Sequence, residues 1–281
     1  MPTLSTSRPA GLVCPCCKRA FDSILSKALS CVRCGRVWPQ PQGHTALMPE
    51  AIPGAEDWAR RQRVTARYYH SLLNEPSKAA DAFEADFAAF RSGLAALSGR
   101  LLDLGGGNGL VRQYLPTSVE YVSVDPDLTW LDHEWDRLEP RFACLRHPLQ
   151  FVQGVAECLP FADQTFDCGI ALFSLNHCSV PSVAIQEMAR ILRPGGVWLV
   201  ALEDAEPAWH DVFGGEYQDW RGWKPLRVTL EKAKGAWCGW PTEADHVRIS
   251  ERDLASWLDG IFTQNVRRWR GSYLALELVR R

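Results

Sequence analysis

The sequence has no long apolar run and no strong excess of charge of either sign. No stretch of about 18 consecutive apolar residues occurs, so we expect no transmembrane helix. The first residues lack the apolar core of a secretory signal peptide, which predicts a cytoplasmic protein. The formal net charge is only −2 over 281 residues, which argues against binding nucleic acid through overall charge.

Internal repeats and low-complexity tracts are also lacking. Hydrophobic residues make up 46% of the chain, so a substantial globular core is expected. The chain has 10 cysteines. Because thiols stay reduced in the cytosol, we expect these cysteines to be metal ligands or core residues rather than disulfides.

Four of the cysteines form two closely spaced pairs near the start of the chain. Two residues separate Cys14 from Cys17, and two separate Cys31 from Cys34, which is typical of a tetrahedral zinc site with four thiolates. Residues 10–49 are turn-rich and have no evident core of their own. We therefore predict a small zinc ribbon that needs a structural Zn²⁺ to fold.

A fifth cysteine, Cys16, lies inside the first pair and is interpreted as a bystander or an alternate ligand. A redox-active pair is the rival interpretation, since cysteines at this spacing also have altered thiol reactivity. The sequence around the cysteines lacks the strand–helix context of a thioredoxin-like site. The remaining cysteines are scattered and are expected to fill the core.

Residues 50–99 are predicted to be helical, as a linker and a cap over a cofactor. Apolar residues recur there at helical spacing: Phe83, Phe87, Phe90, Leu94 and Leu97. Basic residues cluster ahead of them: Arg60, Arg61, Arg63 and Arg67. A solvated helix face explains these arginines, and a contact with RNA stays open as the alternative.

Residues 100–281 alternate between strand-like and helix-like segments, which predicts an α/β fold with a parallel sheet. Five strand-like runs precede two more that are broken at Gly271, as in a hairpin. We therefore expect a Rossmann-like seven-stranded sheet with a C-terminal antiparallel hairpin. Residues 203–249 are expected to form an insertion or lid within this domain.

A glycine-rich loop follows the first predicted strand of this domain and is expected to open a helix. Asp103, Gly105, Gly107 and Gly109 alternate with single residues, and such glycines let the backbone approach a ligand closely. Backbone N–H groups at a helix start favour a polar or anionic group. Asp125 ends the second strand, where a carboxylate can accept from both hydroxyls of a ribose.

This loop resembles the first motif of class I S-adenosylmethionine-dependent methyltransferases. Three further stretches resemble later motifs of the family in the same order: VSVDPD, GVAECLPFADQTFD and EMARILRPGGVWLVA. The resemblance covers roughly residues 60–281. It implies methyl transfer from S-adenosylmethionine by in-line displacement.

The resemblance also implies which residues bind the cofactor: Tyr68, Tyr69, Asp103, Gly105, Gly106, Gly107, Asp125, Pro126, Ala156, Glu157, Ala171 and Phe173. Asp125 would hold the ribose and Glu157 would border the adenine. The side chains of the two tyrosines would cover the bound cofactor; the alternative is that they serve only in helix packing. One departure is Val155, which stands where the family usually has an aspartate that accepts from the adenine amino group.

His177, just beyond the fourth strand, is the candidate general base, and capping of a loop is its structural alternative. The insertion is rich in tryptophan, which suits a planar or apolar small substrate, although packing of the lid explains it equally. The tryptophans assigned to substrate are Trp209, Trp220, Trp223 and Trp237.

The ribbon segment resembles short bacterial zinc-ribbon proteins and the zinc-ribbon subunit that activates eukaryotic methyltransferases of tRNA and translation factors. A different ribbon precedes the catalytic domain of certain rRNA methyltransferases. The leading expectation is a methyltransferase of a small organic, biosynthetic molecule. A methyltransferase of an rRNA or tRNA base is the alternative, and a non-catalytic protein that binds S-adenosylmethionine is the third interpretation.

Overall fold

A computed structural model describes residues 4–5, 7–25, 27–41, 44–52, 55–203, 205, 246–247, 249–270 and 273–281. The helices are α1 Ala55–Leu72, α2 Pro76–Ala88, α3 Arg91–Ala96, α4 Pro181–Ile191 and α5 Glu251–Leu258. Within the described part of the chain, none of them has the length and apolarity required to cross a membrane.

Three short strands form an antiparallel ribbon sheet: β1 Ser23–Leu25, β2 Ala28–Cys31 and β3 Arg36–Pro39. The other strands form the main sheet: β4 Thr45–Ala46, β5 Arg100–Leu104, β6 Glu120–Asp125, β7 Gln150–Gln153, β8 Phe166–Leu172, β9 Leu192–Leu202, β10 Phe262–Arg270 and β11 Tyr273–Arg280.

The order of the main sheet is β10-β11-β9-β8-β5-β6-β7-β4, and its strands from β9 to β4 run parallel. The last two strands form the expected antiparallel hairpin. The Rossmann-like α/β fold is therefore confirmed, with eight strands instead of the seven expected. The extra strand is β4, a two-residue strand that pairs with the edge strand β7.

Alternate residues of the buried strands pack on opposite faces of the sheet, as pleating requires. Leu102 and Val124 face a core shared with α4, α5 and the ribbon. Leu101 and Ile170 face a second core shared with Phe90 and α3. Strand β5 lies between β6 and β8. The chain passes from β5 to β6 and β7 on one side and then crosses to β8 and β9 on the other, so a crevice at the carboxyl ends of the strands is expected beside β5.

The helix predicted after the glycine loop was wrong. A 3-10 turn, Leu110–Tyr114, follows the glycine loop where a helix was expected, because Pro116 comes only two residues after it. Residues 193–196 belong to the N-terminal part of β9, whose pairing with β8 shifts register at this point.

The ribbon packs directly on the main domain. The Val13 N–H donates to the Pro160 carbonyl at 2.9 Å, and the Lys18 ammonium lies 2.6 Å from the Glu187 carboxylate on α4. Ribbon residues also belong to the same continuous core cluster as the main sheet: Cys14, Phe21, Leu29, Cys31, Trp38 and Leu47. The ribbon therefore shares a core with the main domain.

Candidate functional site

A cavity of about 640 Å³ lies at the carboxyl ends of the parallel strands. The first residues beyond β5, β6, β7, β8 and β9 line it, together with side chains of α1 and α2. The sequence-predicted residues on its wall are Tyr68, Tyr69, Asp103, Gly105, Gly106, Gly107, Asp125, Pro126, Ala156, Glu157, Phe173 and His177. The size suits a nucleoside-containing ligand plus a small second molecule.

The glycine loop owes its shape to Asp125 and to a tryptophan. Gly107 has a φ of 50° and donates its N–H to the Asp125 carboxylate at 3.1 Å. The Trp130 ring lies so close to Gly107 that an added Cβ would be 2.7 Å from it. Asp127 donates its backbone N–H to the other Asp125 oxygen at 2.9 Å. Asp125 therefore organises the loop as well as facing the cavity.

The two carboxyl groups beneath the loop are buried and hold protons unusually tightly. Burial raises the pKa of Asp125 to about 8, against the hydrogen bonds from Asp127 and Gly107. Burial likewise raises the pKa of Asp103 to about 7, and the Tyr121 hydroxyl that donates to it partly offsets the rise. Both carboxyls would become easier to ionise if a ligand donated hydrogen bonds to them.

An amide beside the loop has no hydrogen-bond partner among the described residues. The Nδ2 atom of Asn108 is buried and unpaired, and Asn108 lines the cavity. A buried unpaired donor costs free energy, so a ligand acceptor at this point is expected to stabilise it. The unpaired amide, the close backbone approach at Gly107 and the Asp125 carboxylate together fit the ribose and methionine parts of S-adenosylmethionine.

The residues expected beside the adenine have different roles. Pro126 and Ala156 line the cavity, and so does Val155 at the departure from the family pattern. Glu157 also lines it, but its carboxylate accepts from the backbone N–H groups of Ser179 at 2.6 Å and of Val180 at 3.1 Å. Glu157 therefore holds the N-terminus of α4, and this role was not expected.

One of the two predicted tyrosines, Tyr69, packs against a tryptophan on the wall of the cavity. The Tyr69 ring is 4.8 Å from the Trp130 ring and 6.1 Å from the Phe83 ring, centroid to centroid. Tyr68 is more exposed and lies beside Tyr69. Sequence reasoning missed Trp130, although an aromatic residue that soon follows the β6 loop was a usable signal.

The residues at the end of β8 are only partly those expected. Ala171 is fully buried and does not reach the cavity, and its neighbour Leu172 lines the wall instead. Alternation along the strand explains the shift by one residue. Phe173 lines the cavity with a φ of 62°, and its ring packs edge-on against Phe90 and Tyr273.

Three ligand-type side chains meet where β8 and β9 end, across the central strand β5 from Asp125. The ring centroids of His177 and His246 are 4.4 Å apart, and the Nε2 atom of His246 lies 3.5 Å from a Glu203 carboxylate oxygen. The Thr65 hydroxyl lies 3.4 Å from the Nδ1 atom of His177. All four residues line the cavity.

The backbone around this group is tied together by Asn176. Its side-chain amide donates to the Glu203 carbonyl at 3.2 Å, and its own carbonyl accepts from the Val247 N–H at 2.6 Å. Glu203 follows a predicted strand, which was a usable signal. His246 lies near the end of the predicted insertion, about 70 residues beyond His177, and nothing local in the sequence pointed to it.

The tryptophans predicted to contact the substrate lie outside the described residues: Trp209, Trp220, Trp223 and Trp237. The same holds for nearly all of the predicted lid at residues 203–249. Of that segment, the structure describes residues 203, 205, 246–247 and 249.

The four ribbon cysteines come together as the sequence predicts. The Sγ atoms of Cys14 and Cys34 are 3.6 Å apart, those of Cys17 and Cys31 are 3.5 Å apart, and all four lie within 4.8 Å of one another. A disulfide requires about 2.05 Å between sulfurs, so these thiols are not bonded in pairs. Cys16 is exposed and lies outside this group.

The fold is the mixed α/β, Rossmann-like fold of S-adenosylmethionine-dependent methyltransferases. A solved Burkholderia thailandensis structure, 1,6-didemethyltoxoflavin-N1-methyltransferase with S-adenosylhomocysteine bound, shares it with 17% identity and a TM-score of 0.50. The match covers 89% of this chain and 98% of that one. Residues 102–200 match the family model described as a methyltransferase domain.

Curated relatives include ubiquinone/menaquinone biosynthesis C-methyltransferases named UbiE. The protein of Legionella pneumophila strain Corby is 30% identical over 168 residues, which is 54% of this chain and 63% of that protein. The protein of Pseudomonas aeruginosa strain LESB58 is 37% identical over 131 residues, 45% of this chain and 48% of that protein. The chain thus spans about half to two thirds of the length of these relatives.

Proposed function

We propose that this protein is an S-adenosylmethionine-dependent methyltransferase that acts on a small organic molecule. The observation that carries the proposal is one cavity that joins the glycine loop and Asp125 to the His177, Glu203 and His246 group. A methyl donor and an acceptor bound in this one cavity would lie next to each other, and alignment of the two is the main requirement of this reaction.

On the cofactor side, S-adenosylmethionine would supply a methyl group activated by a positively charged sulfur. Asp125 would accept hydrogen bonds from the ribose hydroxyls, and the Nδ2 atom of Asn108 would donate to a ligand oxygen. Tyr69 and Trp130 would exclude water above the loop. We also assign Pro126 and Ala156 to the adenine side of the cavity.

On the acceptor side, His177 is the proposed general base, since it lies in the cavity with a carboxylate-paired histidine beside it. The tryptophans of the insertion remain proposed contacts of the substrate. The relatives are named as C-methyltransferases of ubiquinone and menaquinone biosynthesis, which supports a small and partly aromatic acceptor.

We propose that Cys14, Cys17, Cys31 and Cys34 hold a structural Zn²⁺. With Zn–S bonds of about 2.3 Å, a tetrahedral site places neighbouring sulfurs about 3.8 Å apart. The measured 3.5 and 3.6 Å are close to that spacing. The ion would supply no chemistry to methyl transfer and would hold the ribbon against the main domain.

An RNA substrate is the alternative, and one observation favours it. Arg60, Arg63 and Arg67 are exposed at helical spacing on α1, the helix that also lines the cavity. None of the reported relatives has an RNA substrate in its name, so the small-molecule proposal is preferred.

Calorimetry with S-adenosylmethionine tests the class of enzyme, and we expect binding with a micromolar Kd. No measurable heat at millimolar cofactor would refute the enzymatic proposal. Labelled S-adenosylmethionine incubated with cell extract, fractionated into RNA, protein and metabolites, then tests the acceptor. We expect label in the metabolite fraction. Label in RNA that falls steeply with added salt would favour the alternative.

A further inference from the structure

Among the described residues, two groups of side chains have their ligand atoms close enough to share one metal ion. One is the set of ribbon cysteines, and the other is His177, Glu203 and His246, whose ligand atoms all lie within 4.8 Å of one another. We propose that this second group binds a divalent transition metal ion, with Zn²⁺ as the best candidate.

The chemistry of the three donors selects the ion. Two imidazoles and one carboxylate are a ligand set of catalytic zinc, which takes three protein ligands and leaves a position open to a small molecule. Hard ions such as Mg²⁺ prefer oxygen donors and are disfavoured by two nitrogens. Because the group lines the cavity, the open position would face the substrate space.

The group is held in place before any ion arrives. Asn176 links the backbone next to His177 to the Glu203 carbonyl and to Val247, the residue after His246. His246 is buried with only 5% of its side chain exposed, while 44% of the Glu203 side chain is accessible. The Thr65 hydroxyl beside the Nδ1 atom of His177 can fix that ring, as outer partners of metal-bound histidines commonly do.

Such an ion would give the site a defined class of acceptor, and this step rests on the proposed function. A hydroxyl or enol bound at the open position is acidified by the ion. Its O–H bond breaks, the proton passes to bulk water, and its electron pair forms the bond to the methyl carbon while the carbon–sulfur bond breaks. His177 would then act as a ligand in place of a base.

Metal content per chain tests the proposal without relying on activity. Zinc-loaded protein is measured by mass spectrometry for wild type, Glu203→Gln and His246→Ala. Both variants are expected to lose one equivalent relative to wild type. His133→Ala is the matched control, since that exposed histidine also pairs with a carboxylate, that of Asp136, but is not part of either ligand group. It should keep the wild-type content.

A Co²⁺ spectrum separates the two sites. A Co²⁺ ion bound by the ribbon cysteines gives thiolate charge-transfer bands. A Co²⁺ ion bound by His177, Glu203 and His246 should give visible bands but no thiolate charge-transfer bands, and these visible bands should be lost in Glu203→Gln. Because Glu203 is partly exposed, this variant is expected to fold even if His246→Ala does not. An unchanged metal content and spectrum in Glu203→Gln would overturn the proposal.

Binding of S-adenosylmethionine to the same variants keeps the two proposals apart. If Glu203→Gln and His246→Ala keep the wild-type metal content while S-adenosylmethionine binds normally, the metal site is refuted and the methyltransferase proposal stands. If the variants lose one equivalent while no protein binds the cofactor, the metal site stands and the proposed function fails. Methyl transfer that survives removal of this ion would show that the reaction does not need the metal, which contradicts the acceptor step.

Discussion

Asp125 combines two tasks that place opposite demands on one carboxyl group. It accepts from two backbone N–H groups that shape the loop, and it is buried at the floor of the cavity. In the free protein the effect of burial outweighs that of the two hydrogen bonds, so the pKa of Asp125 is raised to about 8. Ligand hydroxyl groups that donate to it would favour the ionised form. Cofactor binding is therefore expected to tighten as the pH rises toward 8.

The raised pKa of Asp125 also makes stability depend on pH. The folded pKa of about 8 exceeds the ordinary 3.8, so the folded state binds an extra proton between these values, and stability falls as the pH rises through this window. The side chain of the Asp125→Asn variant cannot ionise, so this variant should not lose stability for this reason as the pH rises. We expect its Tm, relative to that of wild type, to rise steadily from pH 5 to pH 8.5 without cofactor. A difference that does not vary with pH would contradict the raised pKa.

Gly107 is required by both its backbone and its surroundings. Its positive φ disfavours other residues, and the Trp130 ring occupies the place of a Cβ. Gly107→Ala should destabilise the fold by about 1–3 kcal/mol and weaken cofactor binding. The control is Gly195→Ala, since Gly195 has a φ of 79° with nothing within 4 Å of its Cβ position. Equal losses of Tm in the two variants would mean that Trp130 does not restrict the loop.

At the scale of elements, α4 is held at both ends by neighbours that are distant in sequence. Glu157 accepts from the N–H groups before its first turn, and Lys18 of the ribbon reaches Glu187 near its end. Arg190 binds the same Glu187 carboxylate at 2.8 Å. The ribbon, the β7 loop and α4 therefore support one another through charged groups that are mostly shielded from water.

Lys18→Ala tests this contact. The variant leaves the Glu187 carboxylate, 12% exposed, with one cation fewer, and we expect a loss of about 1–3 kcal/mol in the free energy of unfolding. Lys78→Ala is the matched control, because its pair with Glu75 is exposed on both sides and should contribute less than about 0.5 kcal/mol. Chemical denaturation measures both. Similar small losses would show that the ribbon is not anchored at α4.

At the scale of the whole molecule, the ribbon and the main domain share one core, while the three ribbon strands form a sheet of their own. The ribbon was expected to depend on zinc because it lacks a core, whereas its apolar side chains belong to the core of the main domain. Strand β4 adds a further link by pairing with β7. Loss of the proposed zinc site is therefore expected to affect the fold of the entire chain.

Cys34→Ser should release zinc and lower the temperature of a single cooperative unfolding transition by several degrees. Cys16→Ser should keep both the metal and the transition, because Cys16 lies outside the four-thiol group. Differential scanning calorimetry with a zinc assay distinguishes the two. A ribbon that melts separately, with the main transition unmoved, would contradict a shared core.

The predictions that held were those whose evidence is local in the chain. The cysteine pairs and the period of the strands depend on spacings of a few residues. The convergence of the four cysteines, the Rossmann-like sheet and the hairpin could therefore be foreseen. Ala171 failed by a single position because alternation along β8 turns it away from the cavity. The helix after the glycine loop failed because Pro116 leaves room only for a turn.

The sequence by itself therefore determined the fold class, the floor of the cavity at Asp125 and the four-cysteine group. Only the tertiary structure decided that His246 joins Glu203 and His177, that Glu157 holds α4, and that β4 extends the sheet. These contacts join segments 20 to more than 100 residues apart, and they form because parallel strands bring their carboxyl ends to one edge. No local spacing in the sequence predicts these contacts, because they depend on the order of strands in the sheet.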